Sequence, residues 1–167
     1  AIAENAIVPM NLLGLKGQPA TIDFVNTGHW SSKTIEEAHK YAKVNVAASS
    51  EDKNFTYVPA RDTWKLTPDA AYVHICTNET IGGVEFDFTP DVGNVPLVAD
   101  MSSNILSREI DISKYAVIYA GAQKNIGPAG VTIVIVRDDM LGHALPICPS
   151  AFAVSYTHLT LPTICSV

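Results

Sequence analysis

The chain has 167 residues, of which 47% are hydrophobic and only 17% charged. That is enough apolar material for one core, and too few charges for a disordered segment, a coiled coil or a basic nucleic-acid tail. With 11 Lys and Arg against 17 Asp and Glu, the net charge is −6, which removes the electrostatic case for nucleic acid or an anionic membrane as partner. The longest clean apolar run, Val131 to Val136, falls far short of the roughly 20 residues of a membrane span. Cys76, Cys148 and Cys165 form no CxxC pair, so a reducing compartment, the cytoplasm, is expected. Ala1-Ile2-Ala3-Glu4 offers neither a basic leader nor an initiator Met, and the chain is expected to be processed or cut from something larger.

In chain order, Thr21 to Thr27 reads as a short strand carrying Ile22, Phe24 and Val25. A helix is expected after it. Thr34-Ile35-Glu36-Glu37 fits a capping box with Thr34 as N-cap, and Ile35, Ala38, Tyr41 and Ala42 repeat on one face. Glu36 and Lys40 form an i,i+4 pair. Further strands are predicted over Lys43 to Ala48, Ala71 to Cys76, Pro96 to Ala99 and Ala116 to Ala120. Gly130 to Val136, nearly all β-branched, predicts a strand buried on both faces. Asp138 is a candidate cap for a short helix. Short buried strands alternating with helices and polar loops give an α/β layer architecture.

Two segments carry chemistry. Lys124 lies in a loop of small residues, Gly121-Ala122-Gln123-Lys124-Asn125-Ile126-Gly127-Pro128-Ala129-Gly130, between two predicted buried strands. Small residues let a planar ligand approach the backbone, and apolar neighbours favour the neutral amine that an imine-forming nucleophile needs. The same loop is equally compatible with a solvated turn lysine. Asp100 ends a short apolar strand, at the edge where α/β sheets bind ligands. Taken alone it fits a turn or cap more readily than a ligand site. Together, a lysine and a carboxylate suggest pyridoxal phosphate, which needs an amine anchor and an acid partner for its ring nitrogen. His29, His39, His74 and His143 show no ligand spacing, so no metal is expected.

Asn78-Glu79-Thr80-Ile81, Ala99-Asp100-Met101-Ser102-Ser103, Ile105-Leu106-Ser107-Arg108 and the run from Ile118 to Val136 resemble the phosphoserine aminotransferase family. So do Pro9-Met10-Asn11-Leu12-Leu13 and Thr27-Gly28-His29-Trp30. The resemblance covers residues 1 to 152. It implies a three-layer fold-type I large domain, a mixed and mostly parallel sheet with helices on both faces, incomplete here. It also implies pyridoxal 5'-phosphate as cofactor, with Lys124 as the anchoring amine and proton carrier and Asp100 on the ring nitrogen. Trp30 would stack on the ring, with Thr80 and Gln123 as further cofactor contacts and Ala1 and Ile2 in the phosphate loop. The implied reaction moves an amino group from glutamate to 3-phosphohydroxypyruvate, giving O-phosphoserine and 2-oxoglutarate, in a homodimeric full-length parent. A related phosphorylated intermediate of pyridoxine synthesis is the other substrate the family implies. Cysteine desulfurases and serine–glyoxylate-type transaminases share an Asp, a Lys and a stacking ring, but not this loop. The family's substrate-binding arginine and histidine residues are expected outside this chain, so residues 1 to 153 read as part of a large domain, inactive alone. From Val154 to Thr163 the chain departs from the family and resembles a conceptual translation of a transposon-end sequencing adapter, so residues 154 to 167 are expected to be non-native.

Overall fold

The computed structural model describes residues 2–17 and 19–155. Ala1, the first of the expected phosphate-loop residues, and all but Val154 and Ser155 of the expected non-native tail lie outside the described residues. Helix α1 (Glu4–Leu12) precedes β1 (Thr21–Asn26), helix α2 (His29–Ala38), β2 (Lys43–Ser49) and β3 (Tyr72–Cys76). A two-residue pair, β4 (Asn78–Glu79) and β5 (Val84–Glu85), comes next, then β6 (Leu97–Asp100), β7 (Val117–Gly121) and β8 (Thr132–Val136).

Six strands form one sheet in the order β2-β1-β3-β6-β7-β8, and β4 and β5 form a separate hairpin. Every neighbouring pair of the large sheet runs parallel except β7 with β8. One sheet face packs Ile22, Phe24, Tyr72, Val98, Val117 and Tyr119 against Val8, Leu12 and Leu13 of the α1 region and Ala38 of α2. The other packs Val73, Ile75, Leu97, Ala99 and Ile118 against Trp64, Phe86, Met101, Ile105 and Tyr115 from the connections. Burying a large aliphatic or aromatic side chain stabilises by roughly 1.5–3 kcal/mol, so these two layers dominate the fold. Trp64, whose Nε1 donates to the Pro59 carbonyl at 3.0 Å, is a buried core tryptophan.

Five local expectations are corrected. Helix α2 begins at His29, with Gly28 as N-cap, and Thr34 is an interior residue whose hydroxyl donates back to the Trp30 carbonyl at 3.0 Å. The acid that caps this helix comes from elsewhere in the chain, so the local capping box is never used. The helix ends at Ala38, although Tyr41 and Ala42 still pack on the core. The expected Glu36–Lys40 pair gives way to Lys33–Glu36 at 2.8 Å and Lys40–Glu37 at 2.6 Å, and none of these exposed pairs contributes much. Strand β8 is half-exposed, with Val134 and Ile135 each 40% accessible. Among the described residues it is the outermost strand of the sheet and pairs antiparallel, so its β-branched run does not bring burial on two faces. The cap of the short 3-10 turn Asp138–Met140 is Arg137, not Asp138.

Helix α1 has no clear sequence signal because Pro9 lies inside it, where proline ordinarily ends a helix. Just past it, Gly14 N–H donates to the His143 carbonyl at 3.1 Å, and a Cβ at Gly14 would stand 2.3 Å from that oxygen. The obstacle is backbone and cannot rotate away. A Gly14→Ala chain should therefore lose about 2 kcal/mol or more of stability, read as a lower midpoint in urea unfolding.

Candidate active site

The parallel strands place their C-terminal ends along one edge. Chain direction diverges between β1 and β3, since β1 leads outward to β2 while β3 leads to β6 and β7. Such a switch point opens a crevice beyond the strand ends. A cavity of about 260 Å³ lies there. Trp30 and Thr34 reach it from α2, Asn5 from α1, and Cys76, Asn78 and Thr80 from the end of β3 and the hairpin. Asp100, Ser102 and Ser103 follow β6, and Gln123 and Lys124 follow β7. Of the residues expected at a cofactor, Ile2, Trp30, Thr80, Asp100, Gln123 and Lys124 all line this one cavity.

Register explains the placing of Asp100. It stands opposite Cys76 of β3 and Tyr119 of β7. Side chains alternate along a strand, so Asp100 points to the same face as Val98, which packs in the α1–α2 layer. Its Oδ1 accepts from the Ser102 amide at 2.9 Å and the Ser102 hydroxyl at 2.5 Å. Ser102 Oγ in turn accepts from Gly121 N–H at 3.1 Å, tying β6 to the loop of Lys124. No hydrogen bond engages Asp100 Oδ2 among the described residues. Burial raises the Asp100 pKa above its ordinary value, opposed by the two Ser102 bonds and by the positive charge of Lys124.

Lys124 Nζ donates to Thr80 Oγ1 at 2.6 Å and lies 5.3 Å from the centroid of the Trp30 ring. The amine is thus surrounded by a hydroxyl and an aromatic face, and the apolar pocket expected around it is not what the chain builds. An indole face at that distance attracts an ammonium group. Trp30 also meets the His29 ring edge-on at 5.1 Å, and its Nε1 is buried without a hydrogen-bond partner among the described residues. Burial, with the negative charges of Asp100 and Glu79, pushes the Cys76 thiol well above its ordinary range, so it is a weak nucleophile.

Ser102 escapes a reading that looks only for reacting groups, although its signal is local: an Asp followed two residues later by an amide donor is an Asx-turn pattern. Asn5 and Glu79 have no local signal, because α1 and the hairpin reach the site only through tertiary folding.

The Aminotransferase class-V family matches residues 3–163, and the chain belongs to that family. Phosphoserine aminotransferase of Janthinobacterium sp. (strain Marseille) is 97% identical over 152 residues, covering 91% of this chain and 42% of that protein. Among solved structures, the phosphoserine aminotransferase of Bacillus circulans subsp. alkalophilus has a TM-score of 0.90 at 40% identity, covering 99% of this chain and 45% of that one. A phosphoserine aminotransferase from Trichomonas vaginalis, solved with PLP bound, has a TM-score of 0.82 at 40% identity, covering 98% and 45%. The chain thus spans less than half the length of the proteins it matches.

Beneath the site, His74 Nε2 and the Tyr119 hydroxyl are 2.9 Å apart, and Asn5 Oδ1 lies 3.2 Å from Thr34 Oγ1 and 3.5 Å from the Tyr119 hydroxyl. Burial pushes the His74 pKa from 6.5 down to about 3. Between those values the unfolded chain binds the proton that the folded chain refuses. The contribution is therefore complete above about pH 6.5 and is lost as pH falls toward 3. A His74→Gln chain, which keeps a partner for Tyr119 without a titrating proton, should show a flatter stability profile there. The difference in slope should approach about 1.4 kcal/mol per pH unit, measured by urea unfolding at a series of pH values.

Proposed function

We propose that the full-length protein containing this chain is a pyridoxal 5'-phosphate-dependent transaminase acting on L-glutamate and 3-phosphohydroxypyruvate, with O-phospho-L-serine and 2-oxoglutarate as products. The observation that carries this reading is the convergence of Lys124, Asp100, Trp30, Thr80 and Gln123 on one cavity although they are scattered over three-fifths of the chain. The 97% identity to a protein named phosphoserine aminotransferase supports the choice of substrates.

The residues fit the cofactor by donor chemistry. Asp100 lines the cavity, and its Oδ2 has no hydrogen-bond partner among the described residues, which leaves it available to a ring nitrogen. Lys124 supplies a primary amine beside it, and Trp30 an aromatic face at stacking range of that amine. When bound, pyridoxal phosphate supplies an electron-withdrawing ring that stabilises negative charge at the substrate α-carbon. Asp100 would hold the cofactor at its ring nitrogen, with its other oxygen fixed by Ser102. Trp30 would offer its face to the ring. Lys124 Nζ would anchor the cofactor and take the proton from the substrate α-carbon, and Thr80 Oγ1 orients that amine. Gln123 borders the same cavity as a hydrogen-bonding contact, and Ala1 and Ile2 belong to the loop that holds the phosphate. The active form is proposed to be a cytoplasmic homodimer, and residues 1–153 to be the native part of the large domain, with 154–167 non-native.

The test is Lys124→Ala in the full-length protein. The visible absorbance of bound cofactor should disappear, and transamination of 3-phosphohydroxypyruvate by glutamate should fall by about 10³-fold or more. Retention of a dialysis-resistant visible band would assign the anchor to another lysine. Activity with serine and glyoxylate in place of these substrates would assign another reaction.

A further inference from the structure

Glu79 has no exposed surface and forms no ion pair among the described residues. A buried carboxylate in that state must be stabilised by hydrogen-bond donors, and here they come from the start of α2. Glu79 Oε2 accepts from the Trp30 amide at 2.8 Å, and Oε1 accepts from the Ser31 amide at 2.8 Å and the Ser31 hydroxyl at 2.7 Å. Those amides are among the donors that a helix cannot satisfy internally, and the helix dipole favours an anion there. The fit is tight. A Cβ at Gly28 would stand 2.7, 2.8 and 2.9 Å from Cδ, Cγ and Oε2 of Glu79, and the backbone at Gly28 is extended, so glycine is needed there for room.

The neighbours of Glu79 in the chain bind other parts of the site. Asn78 Nδ2 donates to Ser103 Oγ at 2.9 Å, and Ser103 Oγ returns a bond to the Asn78 carbonyl at 2.9 Å, joining the segment that follows Asp100. Thr80 Oγ1 accepts from Lys124 Nζ. Gly83 N–H donates to the Glu79 carbonyl at 2.6 Å and closes the turn between β4 and β5. Three consecutive residues thus engage three elements: the turn after β6, the N-terminus of α2, and the lysine loop.

We infer that Glu79 is a positioning residue of this site: its carboxylate fixes the α2 backbone that carries Trp30, and through Thr80 it sets the amine of Lys124 against that ring. The inference rests on the proposed cofactor, since it concerns the gap in which a flat ring would lie between these groups. Replacing one carboxylate oxygen by an amide turns an acceptor facing a backbone N–H into a second donor, so α2 must shift at the residue that bears the indole. A displacement of about 1 Å in a positioning shell can cost about 100-fold in function.

The experiment is Glu79→Gln in the full-length holoenzyme, read by circular dichroism in the visible band of bound cofactor and by titration of the apoenzyme with pyridoxal phosphate. The visible dichroism should fall by half or more, and the dissociation constant for pyridoxal phosphate should rise about tenfold or more. Gly28→Ala keeps the charge and only crowds the carboxylate, so it should move both readouts in the same direction. It also decides the matter if Glu79→Gln does not fold. Adding Glu79→Asp to Gly28→Ala, which makes room by one methylene, should recover part of the loss. If the variants melt earlier yet keep the parent's visible dichroism, with a cofactor dissociation constant within about twofold, Glu79 is only a structural cap and the inference is overturned. Lys124→Ala separates the two failures. If it loses the visible band while Glu79→Gln is unaffected, only the role of Glu79 fails. If it keeps the band, the assignment of the anchor fails.

Discussion

Parallel pairing from β1 through β7 brings the strand ends to a single edge, and every group of the site depends on that alignment. Cys76, Asp100 and Tyr119 stand side by side because β3, β6 and β7 are in register. A slip of one residue in β6 would turn Asp100 to the opposite face, among Trp64, Phe86 and Tyr115, away from Lys124. The force that prevents the slip is remote from the chemistry. Val98 belongs with α1 and α2 while Leu97 and Ala99 belong with the other layer, so the two apolar layers together fix which way the acid points.

Electrostatics within the cavity is settled by short-range partners. The charged side chains lining it are Asp100 and Lys124, and each already has a neutral hydroxyl partner, Ser102 for the acid and Thr80 for the amine. Hydroxyls orient a charge without cancelling it, so acid and amine both remain available to a ligand. Glu79 is satisfied differently, by helix donors, and contributes shape to the site instead of a free charge. The same distinction accounts for His74: burial removes its charge altogether, and it serves as a neutral support for Tyr119.

Local pattern was sufficient where structure is local. The strands ending at Cys76, Asp100 and Gly121 are legible from their apolar runs, and Lys124 and Asp100 stand out because each interrupts such a run at its carboxyl end. Family resemblance added Trp30, Thr80 and Gln123, which composition and spacing alone would leave as a core ring, a strand-end hydroxyl and a loop amide. What could not be read is whatever depends on a distant partner. Thr34 looked like a helix cap because the real cap, Glu79, lies 48 residues beyond Ser31. Strand β8 looked doubly buried because β-branched composition reports strand propensity, and only topology says whether a strand is central or outermost. Helix α1 hid behind Pro9.

The outermost position of β8 has a consequence for handling the molecule. Val131 to Val136 is a six-residue stretch of high β-propensity without a charge, of the type that builds intermolecular sheets. Among the described residues Val131, Val134 and Ile135 are uncovered at the border of the sheet. Arg137, directly after the run and held by Asp139 at 2.5 and 2.9 Å, is the nearest charge able to act as a gatekeeper. Self-association through such a border is second order in protein, whereas closing β8 onto β7 is first order. Dilution therefore favours closing β8 onto β7 over association through this border, because only the second process slows as the protein concentration falls.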